Sequence, residues 1–213
     1  MSTHILLIRH GETQWNKSER FRGTYDIPLN ENGKAQANVL SQALKDRNIS
    51  VACTSPLSRA VETAQISLAD RNVQILVNDK LTDIDYGDWT GLTKIEVMKR
   101  WPKEYDAWTS HPDLAEIPGG EKLSDLFDRC CEFINEISKQ YKGQTVAIFA
   151  HRVINKLLIL GTMGLTLSKF LSIIQDNCCI NELEFTEGGY IMRTLNDISH
   201  MKNAKIDFLG QDF

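Results

Sequence analysis

Two histidines and two arginines stand where the pattern of this chain changes, and together they could bind and transfer an anion. His10 closes the run ILLIRH and His151 closes AIFAH, each at the end of an apolar stretch. Arg9 precedes His10, and Arg59 lies in TSPLSRAVETA, just after a third apolar run. A neutral imidazole can act as nucleophile or proton carrier, and a guanidinium is suited to bidentate phosphate binding. An arginine buried in a strand costs several kcal/mol unless an anion pairs with it. That anion could be a ligand phosphate or a structural carboxylate, and either histidine alone could be only a hydrogen-bonded group at a strand end.

The surrounding periodicities predict the elements that carry these residues. HILLIR (4–9) reads as a buried strand, and Ala37, Leu40, Ala43 and Leu44 recur at helical spacing between Glu31 and Arg47. A short strand VACTS (51–55) follows, and Pro56 opens a helix through LSRAVETAQISLA. QILVN (74–78), a loop LTDIDYGDWTGLT and a helix-like KIEVMKRW come next. Residues 102–120 hold three of the five prolines and read as an irregular excursion over one end of a sheet, with Tyr105, Trp108 and the nearby Trp89 and Trp101 as packing groups. A helix is expected from Lys122 to about Tyr141, a strand TVAIFAH (145–151), a helical VINKLLILGTM, and a hairpin turning at Gly188 and Gly189. The alternation predicts an α/β fold, a three-layer α/β/α sandwich on a mostly parallel sheet. In such sheets ligands bind beyond the carboxyl ends of the strands, where His10 and His151 would share a pocket if their strands are neighbours.

With 213 residues, 42% of them hydrophobic, the chain can bury a full core, and a single domain over 1–213 with an irregular cap at about 92–120 is expected. The 24 basic and 28 acidic residues are interspersed, which gives no basic field for nucleic acid or an anionic membrane. No apolar stretch approaches eighteen residues, so neither export nor membrane spanning is expected. Five cysteines without C-x-x-C spacing suggest reduced thiols, hence a cytoplasmic location, with no structural metal site.

Six ordered blocks carry a resemblance: RHGETQWN (9–16), RFRGTYDIPLNENGKAQA (20–37), SPLSRAVETA (55–64), LTDIDYGDWTG (81–91), PGGE (118–121) and AH (150–151). Together they resemble the histidine phosphatase superfamily, the phosphoglycerate mutase-like group, over about residues 4–160. The resemblance implies that His10 is a nucleophile that forms a phosphohistidine, which water then cleaves. It implies that Arg9, Asn16, Arg59 and His151 hold the phosphoryl oxygens and that no metal or other cofactor is needed. Gly11 would let the backbone pass close to the phosphate.

Four positions depart from the pattern. The proton donor to the leaving oxygen is commonly a glutamate in this family, whereas the matching residue is Asp83, one methylene shorter. Asp85 lies on the same side of an extended segment and is a rival donor, and either aspartate could instead serve a turn. Arg152 occupies the usual glycine position after His151, facing either the pocket or solvent, and Lys156 stands where an arginine is common. Arg22, beside Gly23, replaces a smaller polar residue and is a candidate substrate contact or a solvated loop charge. His4, His111 and His200 have no motif around them.

These readings point to a metal-independent phosphatase for a small phosphorylated metabolite. A cofactor-dependent phosphoglycerate mutase is the alternative, disfavoured because the segment after the Y-G block is short and lacks the expected arginine pair and proline run. A non-catalytic phospholigand-binding protein is the alternative from another class. The apolar C-terminal hairpin offers a surface for a homo-oligomer.

Overall fold

The computed structural model describes residues 1–202 and 204. A six-stranded sheet is built from β1 (Thr3–Arg9), β2 (Ile49–Thr54), β3 (Gln74–Val77), β4 (Thr145–Ala150), β5 (Ile180–Thr186) and β6 (Gly189–Asp197), ordered β3-β2-β4-β1-β5-β6. The four strands from β3 to β1 run parallel, and the hairpin β5–β6 adds to β1 in the antiparallel sense.

Alternation along the strands sorts side chains to two faces. Ile5 and Leu7 of β1, Val51 and Cys53 of β2, and Val146 and Ile148 of β4 belong to one core cluster. That cluster includes Leu126, Cys130 and Phe133 of α6 (Leu123–Gln140) and Ile154, Leu157 and Leu158 of α7 (Arg152–Thr162). On the other face Leu6, Ile8, Ala52, Ala147 and Phe149 meet Leu40 and Leu44 of α2 (Glu31–Leu44) and Ala64 of α3 (Ser58–Ser67). Because both faces are covered, the middle of β1 and of β4 is apolar on both faces, which is why ILLI and AIFA read as unbroken runs. The expected three-layer arrangement is present.

The segment 102–120 departs from the expectation of irregular structure. A helix, α5 (Pro102–Ser110), follows α4 (Lys94–Arg100), and Pro112 begins a short 3-10 turn, Pro112–Leu114. Pro102 and Pro112 each occupy the first turn of their element, where a missing N–H costs nothing and the fixed φ suits the helix. Trp108 packs edge-on against Tyr86 at 5.6 Å and Trp89 lies 6.4 Å from Tyr105, so the aromatics of this segment are packing groups as expected.

Candidate active site

Strands β1 and β4 lie side by side, with Arg9 opposite Ala150, and the His10 N–H donates to the Ala150 carbonyl at 3.0 Å. The next residue on each strand is therefore a histidine at one carboxyl edge. Their ring centroids are 5.2 Å apart, and both side chains are buried. The condition for a shared pocket is met.

The two rings are held differently. His10 Nδ1 is 2.6 Å from the Gly11 carbonyl oxygen, which can only accept, so Nδ1 carries the proton and Nε2 keeps its lone pair. His151 Nδ1 accepts from Arg59 Nε at 3.2 Å, so its proton sits on Nε2, 2.8 Å from Ser55 Oγ. Burial and the charge of Arg59 push both histidines well below the usual imidazole value, with Arg9 and Arg22 adding to the effect. Both are neutral at neutral pH, and the 3.7 Å approach of His151 Nδ1 to Asp83 is accordingly not an ion pair.

Arg59 is fully buried in the first turn of α3. Nη1 donates to the Tyr25 carbonyl at 3.0 Å, and Nη2 donates to the Gly23 carbonyl at 2.7 Å and to Asp83 Oδ2 at 3.2 Å. Burial pulls its pKa down to about 10, against the opposing effect of Asp83, which leaves it cationic at neutral pH. Of its five N–H donors, one on Nη1 remains and the one on Asp83 can be redirected to an incoming anion. Arg9 is also buried and donates through Nη1 to the Gln175 carbonyl at 2.6 Å. Asn16, on the short helix α1 (Gln14–Lys17), is buried, its Oδ1 accepting from the backbone and hydroxyl of Thr13 at 2.8 Å each.

A narrow cleft, open to solvent, lies over His10 and Asp83. It is lined by His10, Arg20, Phe21, Arg22, Gly23, Asp83, Tyr86, Arg152 and Val153. Asp83 therefore faces the same space as His10, with Oδ1 also accepting from the Ile84 N–H at 3.1 Å. Asp85 does not line the cleft: its Oδ1 accepts from the Gly87 N–H at 2.9 Å and closes the turn. Arg152 lines the cleft and hydrogen-bonds the hydroxyl of Tyr86, which settles the direction that its sequence position left open. Gly23 holds φ +52°, and a Cβ there would lie 2.6 Å from the Ile84 carbonyl oxygen. Glycine is thus required where the loop carrying Arg22 turns over the Asp83 segment.

Gly11 has a different reason from the expected one. A Cβ on Gly11 would come within 2.6 Å of the Gly33 carbonyl oxygen, and one on Gly33 within 2.1 Å of the Glu12 carbonyl oxygen. The two glycines let the first turn of α2 press backbone to backbone against the loop after β1. The Gly11 N–H is then fixed by Thr63 Oγ1 at 3.0 Å, and Glu12 accepts from Asn30 and Asn32 at 2.6 and 3.1 Å.

A family model for the histidine phosphatase superfamily (branch 1) matches residues 5–198. The chain belongs to this superfamily. Among relatives, phosphoserine phosphatase 1 of Hydrogenobacter thermophilus is 32% identical over 197 residues, covering 92% of this chain and 93% of that protein. A 2,3-bisphosphoglycerate-dependent phosphoglycerate mutase of Parvibaculum lavamentivorans is 35% identical over 159 residues, covering 71% and 75% of the two chains. Of solved structures, YhfR of Bacillus stearothermophilus superposes with a TM-score of 0.90 at 31% identity, covering 94% of this chain and 100% of that one. Within the histidine phosphatase pattern, the structure adds residues that the motifs did not single out. Ser55 orients His151, Gln175 holds Arg9, and Tyr86 and Arg20 line the cleft. Ser55 and Tyr86 lie inside quoted blocks, but Gln175 comes from a segment with no chemical signature.

Proposed function

We propose that this histidine phosphatase superfamily member hydrolyses a small phosphomonoester through a phosphohistidine on His10. The observation that carries the reading is the bond from His10 Nδ1 to the Gly11 carbonyl, which leaves Nε2 as a neutral, desolvated nucleophile among cations. The ring needs no general base, because no proton stands on the attacking nitrogen.

The mechanism follows from the donors. Arg9 and Arg59 supply the positive charge that a transferring phosphoryl group requires; His151, in contact with Arg59, and Asn16 are further candidates to hold it. Nε2 bonds to phosphorus as the bond to the leaving oxygen breaks, and that oxygen receives a proton from Asp83, which has taken it up from solvent or from the substrate's phosphate as Arg59 turns from the carboxylate to the phosphoryl oxygens. Water then attacks phosphorus, Asp83 takes the water's proton, and the N–P bond breaks to release inorganic phosphate and neutral His10. The positive charge comes from arginine at each step, so turnover is expected to survive a chelator.

The phosphatase reading is supported over the mutase one by the segment between the Y-G block and PGGE. It is occupied by α4 and α5, which pack Trp108 against Tyr86 and bring no arginine to the cleft lining. Among the described residues no helix is long and apolar enough to cross a membrane. The five thiols are free, which supports a reducing, cytoplasmic setting.

Steady-state release of phosphate from p-nitrophenyl phosphate and a panel of small phosphomonoesters, in EDTA at pH 5 to 8, tests the reading. Hydrolysis by the wild type is expected, and none on any substrate would refute it. Conversion of 3-phosphoglycerate to its 2-isomer faster than phosphate release would favour the mutase.

A further inference from the structure

The two arginines of the floor are fixed by different parts of the chain. Arg59 is held by Gly23, Tyr25 and Asp83, all inside the family blocks. Arg9 Nη1 donates instead to the backbone carbonyl of Gln175, at 2.6 Å. Gln175 lies beyond a 3-10 turn, Leu167–Ser172, and before β5, in a stretch without regular structure. A carbonyl in such a stretch points reliably only where something else holds the chain.

The Gln175 side chain supplies that hold. Its Nε2 donates to Asn181 Oδ1 and to the Ile174 carbonyl, both at 2.8 Å, and its Oε1 accepts from Asn181 Nδ2 at 2.9 Å and from Asn155 Nδ2 at 3.2 Å. An amide has two N–H donors and two lone pairs, so this one is fully used and cannot turn without losing a bond. Gln175, Asn155 and Asn181 are all buried. The cluster also closes on both halves of the site. Asn181, on β5, donates to the carbonyl of Leu7 at 3.0 Å, two residues before Arg9 on β1. Asn155, on α7, donates through its backbone N–H to the carbonyl of His151 at 2.8 Å. Hydrogen bonds thus run in a ring from β1 through Arg9, Gln175 and Asn181 back to β1, with a branch to the helix that follows His151.

Stability alone does not ask for these amides. Asn155 sits among Val153, Ile154, Leu157 and Leu158 on a buried stretch of α7, and its Oδ1 has no hydrogen-bond partner among the described residues. A buried acceptor left unmet is a cost that a leucine would avoid. Resting on the phosphatase reading, we infer that Gln175, Asn155 and Asn181 are positioning residues that set the Arg9 guanidinium for the phosphoryl group. None of the three is among the described residues that line the cleft. They act through Arg9, which meets the anion with its orientation already fixed.

The test is a double-mutant cycle read by kcat/KM for p-nitrophenyl phosphate and, without turnover, by calorimetric binding of tungstate. Gln175→Leu is expected to lower both quantities by about tenfold and Asn155→Leu by about threefold. In Arg9→Ala the same two substitutions are expected to change either quantity by less than about twofold, because the group they position is gone. The urea midpoint of Asn155→Leu is expected to equal or exceed that of the wild type. Losses of equal size with and without Arg9, the mark of a cluster that only supports the core, would overturn the inference, as would no loss in Gln175→Leu. NMR of the arginine side-chain nitrogens in the wild type reads the same lock should a variant fail to fold. Arg9 Nη1 and Nη2 are expected as two resolved signals, and one averaged signal would overturn the inference. Tungstate binding with the expected pattern in a protein that hydrolyses nothing would sustain the cluster while the phosphatase reading fell. Hydrolysis with losses independent of Arg9 would overturn the cluster alone.

Discussion

His10 and His151 begin as equivalents and end as opposites. Each follows a parallel strand built on an unbroken apolar run, each is buried, and each is kept neutral by burial and by Arg59. What separates them is the partner of one ring nitrogen. A carbonyl beside His10 Nδ1 puts the proton there and frees Nε2, whereas an arginine N–H beside His151 Nδ1 occupies that lone pair and sends the proton to Ser55. The difference teaches that position on a fold selects a candidate and one hydrogen bond sets which ring nitrogen keeps its lone pair; on the proposed mechanism that makes His10 the nucleophile and His151 a supporting group.

The sharpest way to break this comparison is to delete each ring. His10→Ala is expected to lower kcat by about ten-thousandfold or more and to abolish an acid-labile phosphoenzyme. His151→Ala is expected to keep that phosphoenzyme, formed more slowly because Arg59 loses its Nε acceptor. Trapping of radiolabelled phosphate by His10→Ala and not by His151→Ala would reverse the assignment. Next in size, Asp83→Asn is expected to slow turnover by about a hundredfold, the usual scale for a general acid. Asp85→Asn, at a turn outside the cleft, should change kcat by less, and the opposite order in a kinetic comparison would move the proton donor to Asp85. In His151→Ala the expected loss in kcat is about tenfold, because a positioning contact is removed and no reacting atom is.

Stability against pH offers a gentler discrimination. The folded protein refuses protons at both imidazoles, while the unfolded chain accepts them below its ordinary value of about 6.5. Stability therefore falls as pH drops through about 6.5, each histidine contributing up to about 1.4 kcal/mol per pH unit. Urea unfolding at pH 6.5 and 5.0 should show a smaller loss in either alanine variant than in the wild type. An unchanged loss would mean that the deleted histidine is charged in the folded state.

Much of this site was legible in the chain because its chemistry sits at the ends of strands buried on both faces. Such strands announce themselves as unbroken apolar runs, and RHG and AH follow them directly. The family blocks then ordered the arginines. Other features were hidden for definite reasons. Prolines at 102, 112 and 118 read as loop, yet Pro102 and Pro112 start helical turns, a role that composition alone does not separate from breaking one. The side-chain direction of Arg152 depended on Tyr86, far away in sequence. Gly11 was assigned to the phosphate from its neighbour His10, but the atom that forbids a Cβ belongs to Gly33. Gln175 acts through its backbone carbonyl, which no residue type encodes.

The Gly11–Gly33 contact also bears on when the protein becomes reactive. The carbonyl that fixes the His10 tautomer belongs to Gly11, and Gly11 is clamped on one side by α2 and on the other by Thr63 of α3. A chain emerging from synthesis would have His10 on its first strand long before β4 and the late segment holding Gln175 exist. Until both helices dock, that imidazole samples either tautomer in water like any other. On the proposed mechanism, the tautomer of His10 and the arginines that would receive the phosphoryl group are thus set together, by the completion of the fold.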